Sequence, residues 1–280
     1  MELGVTWRHP SGGVLGRILD LVARSRAIKS IGRVLPSLAM TSDVRDVIYI
    51  NYLVEASELE RHVPVPLELQ RLGPGGRHGL FTFLTYRHGH FGPTCFGALR
   101  VLWASPIQSN WRVYVRDPRT GMAGVRFVTT AITSVPHALA ARTLVHGLEM
   151  HVPRAAHVRC DANGGIDLLL DPGAGSSPDV AASFRECSPP ELEGGWRECF
   201  GTWRAMLEYC VPQDRALCPI PESTAVSRQE IVLDIPLEAC VPLEGKVESS
   251  TARAIVGDAR AVCFRVPSVR FRFLGESIDR

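Results

Sequence analysis

In the stretch Ser109-Asn-Trp-Arg-Val-Tyr-Val-Arg116, polar and apolar side chains alternate from Asn110 onward. Side chains on a strand repeat every two residues, so Asn110, Arg112, Tyr114 and Arg116 share one face. Trp111, Val113 and Val115 share the other. A face of one amide, two guanidiniums and one phenol either meets water or lines a polar pocket, and alternation alone leaves both open.

Working outward, strand-like runs rich in β-branched and aromatic residues occur at 46–54, 79–87, 98–104 and 124–134. Asn163-Gly-Gly165 is a hairpin turn between 154–161 and 166–171. Residues 180–187 read as an edge strand, and 227–233, 259–266 and 269–274 as closing strands. Helices are few and short. Ser57 and Glu60 have capping-box spacing, Pro136 suits the first turn of a helix over 137–149, and 203–209 is a further short helix. Residues 1–44 form an N-terminal helical and loop extension, interrupted at Pro36, and residues 45–280 a single domain. The fold class is α+β: a mostly antiparallel sheet closed into a cone- or barrel-like pocket with a few short helices.

The chain has 280 residues and carries a formal charge of only +2, but the charge is unevenly spread. Residues 69–148 hold nine arginines, five histidines and one acid, Asp117. That imbalance implies a positive local field, which favours small anions as partners. No nucleic-acid-binding motif accompanies it, so nucleic acid is not expected. No apolar run is long enough to span a bilayer, and residues 1–10 lack the order of a signal peptide. An amphipathic helix around Val14, Ile18, Leu21 and Val22 is expected to pack on the body rather than insert into a membrane. The eight cysteines form no CxxC pair and read as reduced thiols in a cytoplasmic protein. Nothing in the sequence fixes the oligomeric state, and a homo-oligomer is compatible with it.

Tyr86-Arg-His-Gly-His90 ends a strand-like run. Histidines at i and i+2 on a strand point the same way and serve as acid–base groups or as metal ligands. His88 and His90 have no identifiable third ligand, so no metal is expected. No nucleotide-binding fingerprint exists, and no dissociable cofactor is expected.

Three stretches together resemble the acetoacetate decarboxylase-like superfamily. They are Val47-Ile-Tyr49 followed by Leu59-Glu-Arg-His-Val-Pro-Val-Pro-Leu-Glu-Leu69, then 109–116, then 259–274 with Val266-Pro-Ser-Val-Arg-Phe271. The second is most similar to a large bacterial branch whose strand reads Asn-x-Arg-x-Tyr-Val. The resemblance covers residues 45–275 and implies the closed-sheet fold with the polar face of 109–116 turned into its pocket. It also implies positions for a glutamate, a tyrosine, a Schiff-base lysine and a second lysine, which fall on Asn110, Tyr114, Arg116 and Asp117. An imine needs an amine that deprotonates near neutral pH, and arginine stays protonated. The resemblance therefore carries the fold and excludes the imine route. On this reading Arg112 and Arg116 bind a small anionic organic substrate, with Asn110 and Tyr86 beside them. Tyr114 and His88 or His90 handle protons. The chemistry is that of a cofactor-independent lyase, cyclase or isomerase. The alternative is a non-catalytic binding protein for the same kind of ligand.

Overall fold

The segment 109–116 lies in a strand, Ile107–Asp117, that is buried on both faces as far as Val115. Its surroundings explain why. The computed structural model describes residues 6–32, 38–220 and 223–279; Pro36 lies outside them. Its strands are β1 (Met40–Glu55), β2 (Glu68–Leu69), β3 (His78–Arg87), β4 (Gly92–Pro93), β5 (Ile107–Asp117), β6 (Met122–Ile132), β7 (Met150–His151), β8 (Ala155–Cys160), β9 (Gly165–Asp171), β10 (Val180–Glu186), β11 (Arg215–Pro219), β12 (Val226–Leu233), β13 (Val241–Glu248) and β14 (Ala261–Asp279).

Seven of these close on themselves in the order β1, β3, β5, β6, β11, β12, β14 and back to β1. Every junction is antiparallel except β6 with β11, which meet in parallel at Val125 and Ala216. From β14 a branch of β13, β10, β9 and β8 leaves the ring. It supplies Val158, Leu168, Leu170 and Phe184 to a core shared with Phe81, Phe83, Trp111 and Val113. The rings of Phe83 and Trp111 stack there at 4.0 Å. Burying each side chain of that size contributes roughly 1.5–3 kcal/mol. The outer face of β5 is thus dry, and its Asn110–Tyr114 face turns into the ring. The fold is mixed α+β, dominated by a mostly antiparallel sheet.

The helices are α1 (Gly13–Arg24), α2 (Arg26–Gly32), α3 (Ala56–Glu60), α4 (Val135–Leu144), α5 (Gly194–Phe200), α6 (Trp203–Cys210) and α7 (Ser250–Val256). Helix α6 inserts Met206, Leu207 and Cys210 among Tyr49, Tyr114, Val125 and Phe264. Its N-cap is Thr202, whose Oγ1 accepts the Ala205 N–H at 3.2 Å. Thr202→Ala is expected to cost about 1 kcal/mol, read as a lowered urea midpoint with unchanged slope. No helix among the described residues is long and apolar enough to cross a membrane.

Several local expectations are corrected. Residues 98–104 are not a strand: Thr94–Leu102 is a 3-10 segment interrupted at Gly97, whose φ of 49° breaks extended pairing. Ser57 caps nothing, because α3 starts two residues earlier than that cap would place it, at Ala56 with Glu55 at its cap. The helix over 137–149 stops at Leu144. Strand β10 is internal, hydrogen-bonded to both β9 and β13. The two closing strands 259–266 and 269–274 are parts of one strand, β14. Pro267 is tolerated there because it faces Asp46 (φ 52°), a position the β1–β14 ladder passes over without a change of register, so no ladder donor is required. Residues 1–44 do not end where the sheet begins. Strand β1 starts at Met40, and Trp7 is buried with Ala23, Ile132 and Met150. On α1, Val14, Leu15, Ile18 and Leu21 stay exposed while Gly16 and Ala23 face the body.

The positive field expected of residues 69–148 is largely cancelled by acids from flanking segments. Arg71 pairs with Glu60, Arg77 with Glu55, Arg100 with Asp43, Arg116 with Glu68 and Arg142 with Glu149. Asp117 is buried and holds Arg119 at 2.8 Å. Arg112 has no carboxylate within ion-pair distance among the described residues.

Candidate functional site

Inside the ring lies a cavity of about 40 Å³. Strands β1, β3, β5, β6, β12 and β14 line it, with Tyr49, Tyr86, Asn110 and Arg112 on one side. Leu233, Ile235 and Phe271 belong to its apolar lining. This volume suits three or four waters, at roughly 10–15 Å³ each. A larger occupant has to displace some of these lining side chains. Two larger depressions, around Cys160 and Lys246 and around Glu68 and Arg116, are open surface grooves outside the ring.

Arg112 is 4% exposed. Its Nη2 donates to the Cys210 carbonyl at 3.1 Å, and the Tyr114 hydroxyl lies 3.5 Å away. Cys210 is the last residue of α6, so the cation sits against the negative end of that helix. The rings of Tyr49 and Tyr114 flank the guanidinium carbon at 5.7 and 5.6 Å, a favourable arrangement for a desolvated cation. Its Nε, also buried, has no protein partner. A helix end and two aromatic faces compensate part of the charge, and an anion in the cavity would supply the rest.

Tyr114 stands behind Arg112 and is not among the cavity-lining residues. Its hydroxyl reaches the Cys210 carbonyl at 3.3 Å and Thr82 Oγ1 at 3.1 Å, and Thr82 in turn donates to Asn51 Oδ1. Burial raises its phenol above the usual range, with Arg112 opposing.

His88 is buried just past the end of β3, stacked on Phe91 at 4.0 Å. Its Nδ1 lies 2.9 Å from Ser42 Oγ and its Nε2 2.9 Å from Gln108 Oε1. Gln108 donates to Asn110 Oδ1 at 2.8 Å, and Asn110 donates to the Tyr86 hydroxyl at 3.1 Å. Burial pushes the imidazole down to about 3, more than the bond to Gln108 raises it, so it is neutral at working pH. His88 therefore reaches the cavity only through two amides and a phenol. Burial likewise raises the Tyr86 phenol.

Two sequence-derived candidates stand elsewhere. The pairing of His88 with His90 assumed one continuing strand, but β3 stops at Arg87 and His90 has φ 52°. His90 is not among the cavity-lining residues. Arg116 does not reach the cavity either. Strand β5 emerges from its cover there, and the Arg116 side chain is 57% exposed, 3.6 Å from Glu68 on β2. The two arginines of the polar face thus have different surroundings, and only Arg112 points at the cavity. No group of three or more metal-ligating side chains occurs among the described residues.

Six participants were missed. Gln108 lies one step back along the same face of β5 and was legible from period two. Tyr49 is on the matching face of β1. The Cys210 carbonyl is main chain, so no residue type could announce it. The apolar lining residues, Leu233, Ile235 and Phe271, read in sequence as ordinary core.

No family model and no curated protein matches the sequence. Solved structures do. An acetoacetate decarboxylase from Legionella pneumophila aligns over 88% of this chain and 88% of its own, with a TM-score of 0.59 and 12% identity. The enduracididine biosynthesis enzyme MppR, complexed with pyruvate, aligns over 88% of this chain and 91% of its own, with a TM-score of 0.58 and 14% identity. This chain has the acetoacetate decarboxylase-like fold. An acetoacetate decarboxylase-like enzyme from Sphingomonas wittichii RW1 aligns over 88% of this chain and 94% of its own, at 0.56 and 8%. At these identities the likeness concerns the fold.

The imine route has no amine at this site. The sequence holds two lysines: Lys29 pairs with Glu149, and Lys246 with Glu248. Neither lines the cavity.

Proposed function

We propose that the ring binds a small anionic organic molecule, a carboxylate or β-keto acid, and acts on it as a lyase, cyclase or isomerase without a cofactor or a Schiff base. One observation carries this: a buried guanidinium lines a cavity inside the ring and has no carboxylate of its own among the described residues. An unpaired buried charge costs several kcal/mol, and a bound anion offsets that cost. Pyruvate bound to MppR, a protein of the same fold, supports the ligand class. Arg112 takes the carboxylate. The phenols and amide around it suit a step whose electron pair moves onto a carbonyl oxygen, giving an enolate held by hydrogen bonds.

A second reading is a binding protein with no turnover. It is favoured by the lining, in which no side chain titrates near neutral pH. The two separate on incubation with a panel of β-keto and polyketide-like acids, followed by product analysis and calorimetry. Product supports the enzyme, and heat without product supports the binder. Neither heat nor product would refute both.

Borohydride added with a β-keto acid is expected to leave the protein mass unchanged. A stoichiometric adduct at Lys29 or Lys246 would overturn the exclusion of an imine.

A further inference from the structure

We infer that Ser42, His88, Gln108 and Asn110 form a polarised hydrogen-bond line whose job is to aim the Tyr86 hydroxyl proton into the cavity. All five residues are buried, and each link is between 2.8 and 3.1 Å. The direction follows from donors and acceptors. Asn110 spends an N–H on the Tyr86 oxygen, and Gln108 spends one on Asn110 Oδ1. Gln108 therefore presents its carbonyl to His88, whose Nε2 must carry the proton. Nδ1 is then an acceptor. Ser42 Oγ already accepts the Gly89 N–H at 3.1 Å, and His88 Nδ1 at 2.9 Å is nearer to it than the Gly89 carbonyl at 3.2 Å. The serine proton goes to the imidazole.

At the far end the Tyr86 oxygen is an acceptor for Asn110, so its own proton is left for the cavity it lines. Burial keeps that phenol protonated and the imidazole neutral, so the line holds its direction across the working pH range. A neutral donor beside Arg112 is complementary to an anion or to an enolate oxygen. The opposite polarity would turn both amides and have Nδ1–H donate to Ser42. Tyr86 would then give its proton to Asn110 and offer the ligand a lone pair. His88 and Gln108 are positioning residues on this account, not acid–base catalysts. The benefit to a ligand rests on the proposed anion site; the polarity itself does not.

The first measurement is the His88 tautomer in wild-type protein, by two-bond 1H–15N correlation spectra. His88→Gln identifies its signals among those of the nine histidines. Nε2–H with bare Nδ1 from pH 6 to 8 is expected. An Nδ1–H tautomer would reverse the line and overturn the inference, whatever the protein binds. The second measurement is pyruvate titration. Tyr86→Phe is expected to weaken binding about tenfold, the size of one hydrogen bond to a charged group. Gln108→Leu should weaken binding in the wild-type background and add less than about twofold to Tyr86→Phe, since coupled residues do not add. Equal losses in both backgrounds would make Gln108 merely structural and overturn the inference. If wild-type protein binds no pyruvate, that counts against the anion site, and the tautomer still decides the polarity.

Discussion

Replacing Arg112 by methionine is expected to weaken binding of a small carboxylate by about 100-fold while leaving the empty protein at least as stable as before. The affinity loss corresponds to roughly 3 kcal/mol, the upper range for hydrogen bonds to a charged group. The stability half follows from the surroundings. Arg112 is buried without a carboxylate, and exchanging such an ion for an apolar side chain of similar length is often neutral or stabilising. The Cys210 carbonyl is not orphaned by the change, because the Tyr114 hydroxyl still reaches it at 3.3 Å. Arg112→Lys keeps a charge but loses the planar fork, and should cost about 1–3 kcal/mol of binding. Relief of repulsion from Arg116 plays no part, since that side chain is outside the ring against Glu68. Calorimetric titration with pyruvate and thermal melts of the empty protein check both halves. Retained affinity with a collapsed melting temperature would show that Arg112 exists to clamp α6.

Stability is expected to fall steeply between about pH 6.5 and pH 4, before most carboxylates titrate. Burial depresses His88 to about 3, chiefly by desolvation, and His151 to about 4, also chiefly by desolvation with Arg142 adding to it. The unfolded chain binds those protons near pH 6.5. Below that pH the unfolded state holds more protons than the native one, so stability rises with pH across the window. The contribution is complete above pH 6.5 and is lost as pH falls toward 3 to 4. Burial, with Arg61 adding to it, also lowers His62 to about 4, so three histidines give a slope of roughly 4 kcal/mol per pH unit while all differ. The full loss is on the order of 10 kcal/mol, comparable to the whole stability of an ordinary domain. Urea unfolding at pH 7.0, 5.5 and 4.5 reads this out. His88→Gln should flatten the slope by about a third. A slope that is absent, or unchanged in His88→Gln, would mean that the buried imidazole is already charged, contrary to its contacts with Ser42 and Gln108.

Much of the site was legible because strands keep period two. Asn110 and Arg112 share one face as alternation required, the tertiary structure turns that face to the cavity, and extending the same count to Gln108 would have found the link to His88. Arg116 obeys that count too, yet its environment changes where β5 leaves the cover of neighbouring strands. His90 failed for a local reason: a positive φ ended the alternation on which its pairing with His88 relied. The arginine-rich middle misled in another way. Its charges are real, but Asp43, Glu55, Glu60, Glu68 and Glu149 come from flanking segments to neutralise them.

By itself the sequence determined most of the longer strands, the sheet-dominated fold class and the absence of a Schiff-base lysine from the central strand, since each follows from residue type and local spacing. Tertiary structure alone decided which polar residues share the cavity. It placed the carbonyl of Cys210, from α6, against Arg112 and left that guanidinium as a buried cation without a carboxylate. It also buried His88 deeply enough to keep it neutral. The physical reason is that desolvation and ion pairing depend on what other segments bring within a few ångströms. No stretch of chain encodes that environment on its own.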